Sequence, residues 1–323
     1  MTSKPPIVAT RAQIESLLAG MDAIAAMARA FAAYSSGRAQ VPPVGEILFP
    51  DCDGEAHIKS GYIKGDNVFV VKIATGFYCN AAAGLPTSSG AVVVFDARNG
   101  LTRAILLDEG LLTDYRTAAA GAMAAKYLAP KTIECIGLIG SGTQARLQAE
   151  LLKNVTPCRS VVLWGRRKEG VAQCAEHLER DGFSVSVADT PARVARSANL
   201  IVTATASKEP LLQARDIRRG THITAVGADT PHKQELASAI LAKADVLAVD
   251  SLSQARERGE LHHALAMHPA LDASAVELGA IVSGAALGRS GEEQITVADL
   301  TGVAVQDIEI AKAVLAALGK HSA

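Results

Sequence analysis

The spacing of hydrophobic positions along the chain changes near residue 110. Before that point Thr10 is placed to cap a helix running to Leu18. After Gly20, the residues Ile24, Met27, Ala28 and Phe31 recur at i, i+3, i+4 and i+7, which predicts a second helix with one apolar face. Val41-Pro42-Pro43 ends helical structure. Runs rich in β-branched residues follow, at Val68–Ile73, Ala91–Phe95 and Arg103–Leu107, and Asn99-Gly100 between the last two predicts a hairpin. The first stretch therefore reads as helices followed by an antiparallel sheet.

From about Thr117 the pattern alternates. An Ala-rich helix, Thr117–Leu128, precedes the apolar run Ile133–Ile139, a glycine turn and a helix through Leu152. Strands are predicted at Val161–Trp164, Phe183–Val187, Leu200–Thr203, Thr221–Val226 and Val246–Val249, with a helix at Glu169–Leu178. Strands alternating with helices require crossover connections and predict an α/β, doubly wound parallel sheet. The tail, Gly302–Leu318, sets Ile308, Ala311, Leu315 and Leu318 on one helical face.

Composition narrows the function classes. The 32 Lys+Arg nearly balance 33 Asp+Glu, a net charge of -1 that leaves no excess to pair with nucleic-acid phosphates or an anionic membrane. No uninterrupted apolar run approaches the roughly 18 residues of a membrane span. The start, MTSKPPIVATRAQIE, carries no hydrophobic core ahead of its charges, so a cytoplasmic location is expected. The cysteines Cys52, Cys79, Cys135, Cys158 and Cys174 have neither disulfide-framework nor zinc-site spacing, and no metal is expected.

The sharpest local signal is Cys135-Ile-Gly-Leu-Ile-Gly140-Ser-Gly142-Thr-Gln-Ala145, a GxGxxA turn after a predicted strand and at the start of a predicted helix. Gly140 permits the tight turn, Gly142 the approach of a pyrophosphate, and Ala145 close helix–strand packing. The helix start supplies oriented N–H groups. Gly140, Ser141, Gly142, Thr143 and Gln144, with Thr203 and Gly227 at the ends of later strands, are the expected dinucleotide contacts. The second strand ends Trp164-Gly165-Arg166-Arg167-Lys168 with no acid before Glu169, a pattern that taken alone tilts from NAD towards NADP.

Three charged residues stand in apolar or glycine-rich settings: Lys72 in Val70-Val-Lys-Ile-Ala, Arg116 in Thr113-Asp-Tyr-Arg-Thr-Ala, and Asp229 in Val226-Gly-Ala-Asp-Thr-Pro. Mid-strand Lys72 points away from the face of Val71 and Ile73. Asp229 follows a strand whose carboxyl end is where ligands bind in such sheets. The residues alone leave internal salt bridges and a helix cap open as the other explanation.

Four runs combine into a resemblance: Gly84-Leu85-Pro-Thr-Ser-Ser-Gly90, Leu107-Asp-Glu-Gly-Leu-Leu-Thr-Asp-Tyr-Arg116-Thr-Ala-Ala, Ile139-Gly-Ser-Gly-Thr-Gln-Ala-Arg146 and Gly227-Ala-Asp229-Thr-Pro-His-Lys-Gln-Glu-Leu236. In this order they resemble the ornithine cyclodeaminase/mu-crystallin family. Gly259-Glu-Leu-His-His263 and Ile295-Thr-Val-Ala-Asp-Leu-Thr-Gly302 resemble its bacterial branch of imine reductases and ectoine-use proteins. The resemblance implies a Rossmann domain (119–301) inserted in a substrate and dimerisation domain (1–118 with 302–323), and a homodimer. It also implies that Lys72 and Arg116 grip a substrate carboxylate while Asp229 handles a proton at the substrate nitrogen. The bidentate fork of arginine suits a carboxylate, and an iminium accepts hydride only when protonated.

The chain departs from the cyclodeaminases where substrate is selected. Glu46 and His57 stand near positions that carry Arg and Glu in those enzymes, with Lys59 following. His57 and Lys59 make the pocket more cationic and better suited to a second carboxylate; Glu46 opposes this unless it turns outward or pairs with Lys59. Lys59 on an edge-strand surface is the other reading. The expected activity is reduction of an imino acid to an L-amino acid, iminosuccinate to L-aspartate first, with NADH suggested by the resemblance and NADP by Arg166 and Arg167. A cyclodeaminase or alanine dehydrogenase with bound NAD, and a non-catalytic mu-crystallin-like binder, are the competing readings.

Overall fold

In a computed structural model, the structure describes residues 5–321, and the outermost ends of the expected first domain, 1–4 and 322–323, lie outside them. The chain divides into two compact units, one of residues 1–116 and 304–323 and one of 117–303.

The first unit is a mixed sheet with helices. Its strands are β1 (Ile7–Thr10), β2 (Ala39–Gln40), β3 (Gly45–Phe49), β4 (Gly54–Ile63), β5 (Val68–Phe77), β6 (Ser88–Asp96) and β7 (Thr102–Leu107), in the order β1-β7-β6-β5-β4-β2, with β3 also on β4. All pairs are antiparallel except β1 with β7. The helices α1 (Arg11–Leu18) and α2 (Ala23–Ser35) follow their predicted ranges closely. At the start of α1 the Gln13 Oε1 accepts from the Thr10 N–H at 2.9 Å, and Asp22 caps α2 through the Ala25 N–H at 2.9 Å.

Met27 and Phe31 of α2 are fully buried with Val70, Val92, Val94 and Leu106 of the sheet. The terminal helix, Ala304–His321, packs on β4, where a Cβ at Gly61 would stand 3.0 Å from Ile308 and 3.1 Å from the Gln40 carbonyl. Glycine there permits the close approach of helix and sheet.

Two expectations change in this unit. The segment holding His57 and Lys59 is not ahead of the sheet, nor is it an edge: β4 is paired on both sides, by β5 and by β2 and β3. The Asn99-Gly100 turn is longer than a two-residue hairpin, since strand pairing stops at Asp96 and resumes at Thr102.

The helix α3 (Leu111–Leu128) begins a turn and a half earlier than its Ala-rich core, because Asp108 Oδ2 accepts from the Leu112 N–H at 2.9 Å. The chain passes from the first unit to the second within it.

The second unit is an eight-stranded parallel sheet. Its strands are β8 (Ile136–Ile139), β9 (Ser160–Trp164), β10 (Ser184–Val187), β11 (Leu200–Thr203), β12 (His222–Ala225), β13 (Val246–Val249), β14 (Val276–Glu277) and β15 (Thr296–Asp299), in the order β10-β9-β8-β11-β12-β15-β13-β14. Strand order reverses between β8 and β11, the switch point at which ligands bind in this topology. The helices α4 (Thr143–Leu152), α5 (Lys168–Arg180) and α6 (Pro191–Ser197) connect its first strands. Strands β8, β11 and β12 are buried along their whole length, as a sheet covered on both faces requires. The fold is thus α/β, with a doubly wound parallel sheet in one unit and a mixed sheet in the other. Among the described residues no single helix is long and apolar enough to cross a membrane.

Candidate active site

Each unit carries one cluster of interest. In the second, the turn after β8 and the loop after β11 line a solvent-open cavity of about 690 Å³ together with the end of β9. Gly140 has φ +120, and a Cβ on it would stand 2.4 Å from the Ala204 carbonyl oxygen, so both conformation and space demand glycine. Gly142, the residue before α4, is the opposite case: a Cβ there meets nothing within 4 Å. The start of α4 is therefore open beside Gly142, as a pyrophosphate cradle requires.

Ser141, Gly142, Arg166 and Arg167 line this cavity, with Ala204, Thr205 and Ser207 opposite. Arg166 also borders a second cavity with Trp164, Lys168 and Asp189. Thr143 and Gln144 form the first turn of α4. Thr203 and Gly227, expected as cofactor contacts, are absent from the cavity wall. The Thr203 hydroxyl and the Gly227 N–H both donate to Glu235, at 2.7 and 2.9 Å, so their polar groups are already engaged.

Asp229 lies half exposed in the loop after β12, 2.7 Å from Lys233 Nζ. His232 is exposed in the same loop. His262 and His263 sit in the helix Gly259–Leu265 and bond different carbonyls, those of Arg256 and Lys233.

In the first unit, β5, α3 and the terminal helix converge on a buried ionic cluster. Lys72 Nζ donates to Asp307 Oδ1 at 2.8 Å and to Thr113 Oγ1 at 3.2 Å. Arg116 Nε lies 3.4 Å from the same Asp307 oxygen, and Nη1 donates to Gln306 Oε1 at 2.8 Å. Thr113 and Arg116 are three residues apart on α3 and share a face. All three charged side chains are nearly inaccessible.

Burial pushes the pKa of Lys72 below the lysine range, Asp307 opposes it and Arg116 reinforces it. Burial would raise Asp307, but Lys72, Arg116 and Lys59 together hold its carboxyl below the usual range. Asp108, buried beside the start of α3, is pushed up by its burial. Arg116 Nε and Asp307 Oδ2 have no hydrogen-bond partner among the described residues. Buried polar atoms of that kind are rare, and here the Arg116 Nε is held at ion-pair distance from Asp307 without a hydrogen bond.

Lys59 stands directly opposite Lys72 in the β4–β5 register and so on the same sheet face. His57, two residues earlier, shares that face; its Nε2 lies 3.3 Å from Glu46 and 3.7 Å from Glu55. Glu46 thus turns to His57. Asp307 is the residue that sequence reasoning missed. The only signal for it was an acid, adjacent to Gln306, in the first turn of a helix with an apolar face.

A profile of the ornithine cyclodeaminase/mu-crystallin family matches residues 4–321. The chain belongs to this family. An uncharacterized cyclodeaminase of Sinorhizobium fredii is 42% identical over 90% of this chain and 89% of its own length. An archaeal alanine dehydrogenase dimer with bound NAD superimposes with a TM-score of 0.90 at 32% identity, over 98% of this chain and 97% of that one. The iminosuccinate reductase of Paracoccus denitrificans in complex with NAD+ gives 0.89 at 31% identity, over 99% and 98%.

Proposed function

We propose that this family member is an NAD(H)-dependent reductase of imino acids, producing an L-amino acid, with iminosuccinate to L-aspartate as its leading reaction. The observation that carries the reading is the buried Lys72–Asp307–Arg116 cluster with Lys59 across from Lys72: three cations against two acids, Asp307 and the nearby Asp108, an excess of positive charge that suits a carboxylate substrate. The archaeal alanine dehydrogenase and the Paracoccus reductase, both with NAD bound, support the coenzyme.

The glycine turn fits a dinucleotide. Gly140 and Gly142 with the first turn of α4 would hold its pyrophosphate, and Arg166 and Arg167 flank the adenosine end. When bound, the nicotinamide supplies the hydride. The chain's own groups do the rest. Arg116 and Lys72 take the substrate carboxylate, which fixes the imine carbon in one orientation. Asp229 holds the proton on the imine nitrogen, because a neutral imine is a poor hydride acceptor. Lys59 takes the second carboxylate, with His57 beside it.

The decisive assay follows NADH, and separately NADPH, absorbance on mixing enzyme with oxaloacetate and ammonia, pyruvate and ammonia, or a cyclic imino acid. Oxidation selective for the oxaloacetate mixture supports the dicarboxylate reading; preference for either alternative refutes it and keeps the reductase class. A second reading is favoured by one observation. Glu46 and Glu55 flank His57, and two acids there suit a substrate side-chain amine, as in a cyclodeaminase. Release of ammonia from ornithine without net NADH consumption would establish it; lack of any turnover would leave a binder. We also assign a homodimer, through the apolar residues that β3 exposes, Ile47, Leu48 and Phe49. Light scattering of the purified protein measures this directly.

A further inference from the structure

Glu235 is fully buried, has no place in the chemistry above, and has a dense set of partners. Its Oε1 accepts from the Thr205 N–H at 2.6 Å and the Thr205 hydroxyl at 2.8 Å. Its Oε2 accepts from the Thr203 hydroxyl at 2.7 Å and the Gly227 N–H at 2.9 Å. One carboxylate therefore joins the end of β11, the loop that walls the dinucleotide cavity, and the end of β12.

The seat is built for this group. A Cβ on Gly227 would stand 2.5 Å from Glu235 Oε2 and 2.3 Å from the Thr205 carbonyl, so only glycine admits the carboxylate there. Glu235 is itself held from behind: Glu260 accepts from the backbone N–H groups of Glu235 and Leu236 at 2.8 and 3.0 Å. Because Gly227 and Glu235 are the two feet of the loop carrying Asp229, their bond closes that loop on itself. Within it Lys233 Nζ bonds Asp229 at 2.7 Å, and His263 bonds the Lys233 carbonyl at 3.0 Å. The same stretch grips the cavity wall a second time, through the Gln234 N–H on the Ser207 carbonyl at 2.9 Å and the Leu211 N–H on the Glu235 carbonyl at 2.7 Å.

We infer that Glu235 is a positioning residue that sets the Asp229 loop and the wall of the dinucleotide cavity in one register, so that the proton-handling group and the cofactor are aligned together. The inference rests on the reading of Asp229 as the group that handles the proton. Its chemistry is specific to a carboxylate. Each oxygen receives a backbone N–H, so a glutamine must turn its NH2 against one of those donors whichever way it is placed.

The test is Glu235→Gln, alone and combined with Asp229→Asn, with NADH affinity from fluorescence titration and kcat at saturating NADH with oxaloacetate and ammonia. Glu235→Gln is expected to weaken NADH binding by about tenfold in both backgrounds. It lowers kcat by about tenfold where Asp229 is present and leaves it unchanged where Asp229 is already replaced. A merely structural residue would lower kcat by the same factor in both backgrounds, and that result overturns the inference. Unchanged NADH affinity and kcat in the single variant overturn it as well.

Should Glu235→Gln not fold, Thr203→Val removes one donor to Oε2 and keeps both backbone bonds. It is expected to show the same background dependence at about threefold, and equal factors again refute the role. If Asp229→Asn alone retains wild-type kcat, the reading of Asp229 fails, and the NADH titration alone then decides whether Glu235 orders the cavity wall.

Discussion

Asp307→Asn tests the electrostatics of the substrate-side cluster without using the reaction. Asp307 lies 2.8 Å from Lys72 Nζ and 3.4 Å from Arg116 Nε, and all three groups are at most 6% exposed. With an effective dielectric of about 20, the gross attractions are about 6 and about 5 kcal/mol. Much of that offsets the desolvation of the carboxylate, and removing one partner of a buried ion pair typically costs about 3–5 kcal/mol net. Asparagine keeps an oxygen for Lys72, so about 3 kcal/mol is the expected loss near pH 7.

The pH dependence carries the sharper content. Asp307 is the main influence raising the depressed pKa of Lys72, so its removal lowers that pKa further. A lysine depressed in the folded state adds stability as pH rises through its folded value. The variant enters that window earlier than the wild type, because its buried Lys72 sheds the proton sooner. Urea unfolding of both proteins between pH 6 and 9.5 is thus expected to show a stability gap that narrows as pH rises. A gap under about 1 kcal/mol, or one that is constant or widens with pH, refutes this account of the cluster.

Three further outcomes are expected. Lys59→Ala raises KM for the oxaloacetate–ammonia substrate by about tenfold and leaves pyruvate–ammonia within twofold; steady-state kinetics on both measures it. Gly140→Ala forces a side chain onto a backbone at φ +120 and 2.4 Å from the Ala204 oxygen, so NADH titration loses its signal and thermal unfolding shows a loss of about 2 kcal/mol or more. Burial pushes Glu235 and Asp299 each up to about 7, so the folded protein binds extra protons between the ordinary carboxyl range and neutrality. Stability is then expected to fall as pH rises from about 4.5 to 7, by up to about 3 kcal/mol per group, and Asp299→Asn flattens the curve in urea titrations across that range.

Much of the parallel sheet was legible because its central strands are buried on both faces and so read as unbroken apolar runs; β11 and β13 fall where the runs put them, whereas β14 and the buried β15 were not read as strands. The glycine turn was legible because Gly140 and Gly142 stand at GxGxxA spacing between an apolar run and a helix, although the Ala204 oxygen that also crowds Gly140 is remote in the chain. Strand β4 was not. Gly54–Ile63 carries Glu55, His57, Lys59 and Ser60, a composition that resembles a connecting segment, yet it is paired on both sides. Its one-sided polar set, His57 and Lys59 with Lys72 opposite, is the same feature that hid the strand and marks the site.

Asp307 and Glu235 explain the rest of the gap. Lys72 and Arg116 show themselves locally, as charges among Val, Ile and Ala. Asp307 sits in the first turn of a helix, where an acid is favourable beside the N-terminal dipole even with no further partner. Its bond to Lys72 spans 235 positions, and no local pattern records it. Glu235, flanked by Lys233 and Gln234, has the look of a solvated run, and only the folded loop shows four donors converging on it. Charges that break an apolar pattern can be found from sequence, whereas charges that compensate them from a distant segment sit in neighbourhoods where a charge is unremarkable. Asp307 is of the second kind, and Glu235 gathers neutral donors from the ends of two strands rather than a cation, which is why the cations pointed to the site and these two acids emerged only from the structure.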